Sequence, residues 1–160
     1  PVLSFTAEEI WQGNDFLLAE ADSVFLTTLK DLETFNSDLS NEDWKRMLEI
    51  KEEVNQSIEE SRAEGVIKGS LDASIELILN SDDFNLVNKF ASEMHFFLIV
   101  SECNILQGDS LKISVSKSSA EKCVRCWHRN KSVGSSSKHP ELCNRCVENL
   151  DGPGEDRRFA

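Results

Sequence analysis

Cys123-Val124-Arg125-Cys126-Trp127-His128, answered by Cys143-Asn144-Arg145-Cys146, decides how this chain ends. Sixteen residues separate the two C-x-x-C pairs. Each pair bends tightly enough for both sulfurs to reach one ion, and the longer span closes the site. That spacing is the one read as a zinc site in sequence. Four thiolates suit Zn(II), a d¹⁰ ion without redox chemistry that takes tetrahedral sulfur donors. With all four positions filled by cysteine, no place stays open for water, so the expected role is structural. The competing reading is four ordinary buried thiols or two disulfides.

The chain has 160 residues, enough for one ordinary domain or two small ones. It is 39% hydrophobic and 29% charged, which places it in the globular class. No apolar run reaches the length of a membrane span, and the first residues lack a signal-peptide core. Of five cysteines, Cys103 is left over once the zinc site is filled. That usage suits a reducing cytoplasm, and Cys103 itself reads as a small buried hydrophobe.

The net charge is -12, but it is unevenly placed. Residues 1–120 hold 9 basic and 23 acidic side chains, against 8 and 6 in residues 121–160. Zinc with four thiolates brings the tail close to neutral. A strong basic field is therefore excluded, and any RNA contact would rest on a few placed arginines and aromatics.

Along the chain, Thr6 with Glu9 reads as a capping box, and Phe5 with Ile10 as a hydrophobic staple, opening a short helix through Trp11. Residues 16–39 read as a variable connection with a helical piece at 22–32. A long helix follows, capped by Ser40 or Asn41, with Glu42 and Asp43 in its first turn. Trp44, Met47, Leu48, Val54 and Ile58 form its expected apolar stripe, Ala63 its last residue and Gly65 its C-cap. Ala73, Ile75 and Leu77 alternate as in a half-buried strand. Ser81-Asp82-Asp83 starts a helix carrying Leu86, Val87, Phe90 and Met94. Phe96-Phe97-Leu98-Ile99-Val100 reads as a buried strand and residues 111–115 as an edge strand, with 116–120 a linker. The expected class is α+β: the end of a helical domain (residues 1–64), a small α+β junction module with its linker (65–120), and a zinc knuckle with a tail (121–160).

Three closing pieces carry a resemblance: Lys122-Cys123-Val124-Arg125-Cys126-Trp127, Leu142-Cys143-Asn144-Arg145-Cys146-Val147, and the run from Gly152 to Ala160. With Pro1 to Trp11, the stretch from Glu53-Val54-Asn55 through Ala63 and Gly69-Ser70-Leu71-Asp72-Ala73, they resemble the C-terminal portion of bacterial isoleucyl-tRNA synthetases. The resemblance implies a class I ligase that joins isoleucine to its tRNA using ATP, with residues 1–64 ending its anticodon-binding domain. It implies tRNA(Ile), through its anticodon region, as partner, one structural zinc, and a cytoplasmic location. The family's HIGH and KMSKS signatures do not occur in these 160 residues. ATP, isoleucine and the editing site would then belong to a missing part, with Pro1 an internal cut.

Candidate RNA-binding residues follow. Trp127 can stack on an unpaired base, or pack over the small knuckle, which is the favoured reading. Arg125 and Arg145 hold equivalent places inside the two C-x-x-C turns. Either can meet phosphate or only offset the charge of the metal site. Arg157 and Arg158 are the more exposed candidates near the end. His128 and His139 are not needed as ligands, because four cysteines fill a tetrahedral site. Two other classes compete. One is a zinc-finger DNA-repair glycosylase, whose N-terminal proline is the nucleophile; there glutamate follows the proline, whereas Val2 does here. The other is a zinc-stapled protein-interaction module.

Overall fold

Ser40 starts the longest element. Its hydroxyl accepts the Asp43 N–H at 3.0 Å while the Asp43 carboxylate accepts the Ser40 N–H at 3.0 Å, a complete capping box. In the computed structural model, which describes residues 3–28, 39–155 and 157, two units are distinguished, divided after Asp38.

The first unit holds α1 (Ser4–Gln12), α2 (Asp15–Leu18) and a 3₁₀ turn (Val24–Leu26). Asn14 caps α2, accepting from the N–H groups of Phe16 and Leu17. Trp11 Nε1 donates to the Ala21 carbonyl at 2.7 Å, and the Glu8 carboxylate accepts from Ser23 Oγ and the Val24 N–H. The expected cap does not form. α1 begins at Ser4 behind Leu3, with no side-chain cap, so Thr6 lies inside the helix. Phe5 is 91% exposed and Ile10 is also exposed, so they do not staple. Of the expected helical piece at 22–32, the described part is the 3₁₀ turn; residues 29–38 lie outside the described residues.

In the second unit α3 (Asn41–Ala63) ends where expected. Gly65 follows at φ 78°, and the Val66 N–H reaches back to the Ser61 carbonyl at 2.9 Å. This left-handed helix ending strains any residue but glycine. The buried stripe is Met47, Ile50, Val54 and Ile58. Ile50 replaces the expected Leu48, which is exposed, because 47, 50, 54 and 58 stay on one side at 3.6 residues per turn.

β1 (Ala73–Leu79) is the centre of a three-stranded sheet, order β2-β1-β3. β2 (Glu102–Gln107) runs parallel to it, with Ile75 opposite Cys103. β3 (Lys112–Lys117) runs antiparallel, with Ile75 opposite Val115. A parallel neighbour demands a crossover. It is made by α4 (Ser81–Asn88), capped by Asn80, and the short α5 (Met94–Phe97). Residues 96–100 are therefore not a strand. They wind through α5 into a turn, with Leu98 and Val100 buried and Ile99 exposed at φ 57°. A short apolar run does not separate strand from buried helix. The second strand lies just beyond it, in Glu-Cys-Asn-Ile-Leu-Gln. Ala73, Ile75, Leu77 and Leu79 share one core with the α3 stripe, Leu86, Val87, Phe90, Met94, Leu98 and Val100. Cys103 is half-buried against this core, and burial pushes its thiol up to about 12, as expected of an inert cysteine.

The expected linker at 116–120 is built into the fold. Ser118 and Ala120 are buried, and the Ser118 N–H donates to the Asp72 carbonyl at 2.8 Å. No helix among the described residues is long and apolar enough to cross a membrane.

One ion pair ties α3 to α4. Arg46 donates through Nε and Nη2 to both oxygens of buried Asp83, at 2.8 and 2.7 Å. The guanidinium holds the Asp83 carboxyl below its usual range, against the opposing effect of burial. A lowered carboxyl pKa adds stability that is full above the unfolded value of about 3.9 and is lost as pH falls through the folded value. Asp83→Asn is expected to lose about 1–3 kcal/mol at pH 7 and to flatten the acid limb of stability. Urea unfolding of both proteins between pH 7 and 3 measures this, and parallel acid limbs would refute it.

Candidate metal centre

A bridge between Lys122 and Arg129 closes the first half of the knuckle. Within it the Cys123 N–H donates to the His128 carbonyl and the Trp127 N–H to the Cys123 carbonyl, each at 2.9 Å. Trp127 sits at φ 67°, in the left-handed region. The second half is the start of α6 (Asn144–Asp151): Cys143 is its N-cap residue and Cys146 lies in its first turn. A helix start favours negative charge, which suits two thiolates placed there. The Val124 N–H joins the halves through the Glu141 carbonyl at 3.2 Å.

This folding brings the Sγ atoms of Cys123, Cys126, Cys143 and Cys146 all within 4.8 Å of one another, and Cys126 Sγ lies 3.8 Å from Cys143 Sγ. Zn–S bonds of about 2.3 Å in a tetrahedron set sulfurs about 3.8 Å apart. The donor set thus fits one structural zinc in chemistry and in size. Cys123, Cys143 and Cys146 are buried and Cys126 is half-buried, with Leu142, Val133 and Val147 around them. All five cysteines are free thiols, so the disulfide reading fails.

The surroundings are arranged for negative sulfur. Against the burial that would raise it, backbone N–H groups of Cys126, Cys143 and Arg125 draw the Cys123 thiol down to about 6. Burial keeps Cys143 and Cys146 above the ordinary thiol value, so a cation is needed to ionise the full set. Arg125 Nη1 donates to Cys146 Sγ at 3.6 Å, the charge-offsetting role weighed for it. His128 and His139 are outside the cluster. His128 Nδ1 faces the Cys126 carbonyl at 3.2 Å, and His139 Nε2 faces Asp151 at 2.9 Å.

Of the other singled-out residues, Arg145 and Arg157 come together at Glu155. Arg145 lies 3.5 Å from a Glu155 oxygen and Arg157 lies 2.9 Å from the same oxygen. Arg158 lies outside the described residues. Trp127 does not pack over the knuckle: it is 61% exposed, turned outward by its left-handed backbone, with Lys122 Nζ 5.5 Å from its ring centre. With Lys122 and residues 68–72 it lines a pocket of about 350 Å³.

Arg129 was not singled out from the sequence, yet it fastens the knuckle to the sheet. Its Nε donates to Asp72 Oδ1 at 2.8 Å, its Nη1 to the Ala120 carbonyl at 3.1 Å, and its N–H to Ser101 Oγ at 2.7 Å. Asp72 and Arg129 are 57 residues apart, and no local pattern links them.

About one zinc per chain is expected, bound through the four cysteines. Cys143→Ser should reduce it to near zero. Because protons compete for the thiolates, retention should fall as pH drops toward about 5. Metal analysis after dialysis at stepped pH is the check. An undiminished zinc ratio in Cys143→Ser would contradict the ligand set.

Comparison with known proteins places both ends of the chain. Residues 1–77 match the family model described as the anticodon-binding domain of tRNA ligase, and residues 120–149 that of a zinc finger found in FPG and IleRS. The whole chain is 45% identical to an isoleucine–tRNA ligase of Dichelobacter nodosus, 40% to that of Teredinibacter turnerae and 41% to that of Shewanella halifaxensis. It covers 17%, 18% and 18% of their lengths. The finger model alone is shared by two families; likeness along the entire chain favours the synthetase over the glycosylase or a bare interaction module. By that likeness and by its four-cysteine centre, the chain is similar along its whole length to isoleucine–tRNA ligases, of whose length it spans less than a fifth.

Proposed function

We propose that this chain serves an isoleucine–tRNA ligase, which attaches isoleucine to tRNA(Ile) using ATP, as the part that helps hold the tRNA near its anticodon. The observation that carries the reading is the likeness of all 160 residues to isoleucine–tRNA ligases, with an anticodon-binding match at 1–77. In this reading ATP and isoleucine bind outside the chain, since no phosphate-cradling motif occurs within it. Residues 1–64 act with the anticodon-binding domain, 65–120 as the junction and 121–160 as the knuckle and tail. This is a division of role. In packing, α3 shares its core with the sheet. The reading also places the chain in the cytoplasm, where free thiols stay reduced.

Trp127 is the foremost RNA contact of the five proposed. Its exposed face suits an unstacked base, and Lys122 beside it suits a phosphate. Arg125, Arg145 and Arg157 have sulfur, carboxylate or ring partners already, so they act chiefly by shaping that face. Arg158 is proposed on sequence alone.

A closed zinc site performs no chemistry, so its loss acts through the fold that it supports. In the full-length ligase, Cys126→Ala or Cys146→Ala is expected to leave isoleucine-dependent exchange of pyrophosphate into ATP nearly intact. The tRNA concentration needed for charging should rise about tenfold or more. Equal loss in both reactions would point to global misfolding, and unchanged charging would refute a role for the knuckle. The 160-residue chain alone should show no pyrophosphate exchange.

A further inference from the structure

The ring of Phe96 is gripped from both halves of the zinc knuckle at once. Arg145, inside the second C-x-x-C turn, has its guanidinium carbon 4.8 Å from the ring centre. His128, two residues past Cys126, meets the ring edge-on at 5.7 Å and holds the Cys126 carbonyl with Nδ1. Arg157, from the tail, lies over the ring at 4.2 Å. Two cations beside one ring repel each other unless an anion joins them. Glu155 supplies it, with one oxygen 3.5 Å from Arg145 and 2.9 Å from Arg157. Glu155 is itself held by Asn149 of α6, whose Nδ2 donates to the same oxygen at 3.0 Å and whose Oδ1 accepts the Glu155 N–H at 2.8 Å. Phe96 belongs to α5, in the sheet module. The knuckle is thus fastened twice, by Arg129 to Asp72 and Ser101 and by this clasp to Phe96.

We infer that Phe96 is a positioning residue for RNA binding: its ring, clasped by His128, Arg145 and Arg157 and locked by Glu155, sets the direction in which the knuckle presents Trp127. This rests on the reading that the knuckle holds tRNA. The zinc fixes the shape of the knuckle but has no bond to the module. Ties between the knuckle and the module therefore set where the Trp127 face points, and a small angular error there misplaces a stacked base. Cation–ring contacts are the right strength for the task, strong when shielded from water and reversible.

The test uses the full-length ligase with Phe96→Leu, Phe96→Tyr, Glu155→Gln and Trp127→Ala. In Phe96→Leu, zinc should stay at one per chain and pyrophosphate exchange should be unchanged, while amide hydrogen exchange across residues 120–149 speeds up. The KM for tRNA should rise roughly five- to tenfold with kcat held, the span such contacts allow. Phe96→Tyr keeps the ring and should return KM to within about twofold. Glu155→Gln, with a full-length ring in place, should raise KM about two- to threefold. If Trp127→Ala raises KM while Phe96→Leu and Glu155→Gln leave it unchanged, the inference is overturned. Loss of zinc in Phe96→Leu with a silent Glu155→Gln also overturns it, by giving the ring a purely structural role. A silent Trp127→Ala sinks the RNA-binding reading instead. Hydrogen exchange then still judges the clasp, supported by faster exchange in Phe96→Leu and overturned by unchanged exchange.

Discussion

Four sulfurs within 4.8 Å of one another cannot all be thiolates without a cation among them. Their mutual repulsion would otherwise drive protons back on, and burial adds to it by holding the Cys143 and Cys146 thiols above their ordinary value. The surroundings of the four sulfurs answer that constraint. Backbone N–H groups turn toward Cys123, a helix start carries Cys143 and Cys146, and Arg125 covers a sulfur from outside. The apolar residues available, Leu142, Val133 and Val147, are too few to hold so small a unit alone, so the metal bonds take the place of a core.

The sheet module is stabilised differently. Its core is continuous from α3 across β1 to α5, closed by ordinary burial and by the Arg46–Asp83 pair. What joins the two kinds of structure is polar. Arg129 satisfies the Asp72 carboxylate at the turn before β1, Ser101 Oγ just before β2 and the Ala120 carbonyl after β3. On the other side, Phe96 offers an aromatic face to cations of the knuckle and tail. Polar and cation–ring ties are directional, whereas a purely apolar seam tolerates sliding. That difference matters if, as proposed, the knuckle has the task of aiming the Trp127 face.

The metal site was legible in the sequence because ligand spacing is a local property of the chain. The Ser40 cap and the Ala73-Ile75-Leu77 alternation were legible for the same reason. The failures are where tertiary context decides. Thr6 and Glu9 have capping chemistry, but α1 starts earlier. Residues 96–100 are apolar enough for either state. The need for a crossover into a parallel strand makes them a helical turn, and pairing with β1 makes a strand of the less apolar residues after them. Trp127 reads as core by type, yet its left-handed backbone faces it outward. The Arg129–Asp72 and Phe96 contacts join residues far apart, which no single window can show.

The charge balance bears on how such an acidic chain would meet RNA in the proposed role. In the tail, Arg125 faces sulfur, Arg129 faces Asp72, Arg145 and Arg157 share Glu155, and Lys138 pairs with Asp151. Much of its positive charge is therefore neutralised within the fold, and long-range attraction of a phosphate backbone is weak. Under the proposed RNA-binding role, recognition then comes from close contact, where an exposed aromatic face contributes without regard to net charge. Close contact acts only if its geometry is fixed beforehand. On the proposal made above, Arg145 and Arg157, which look like phosphate ligands in the sequence, serve instead to hold the knuckle that presents Trp127.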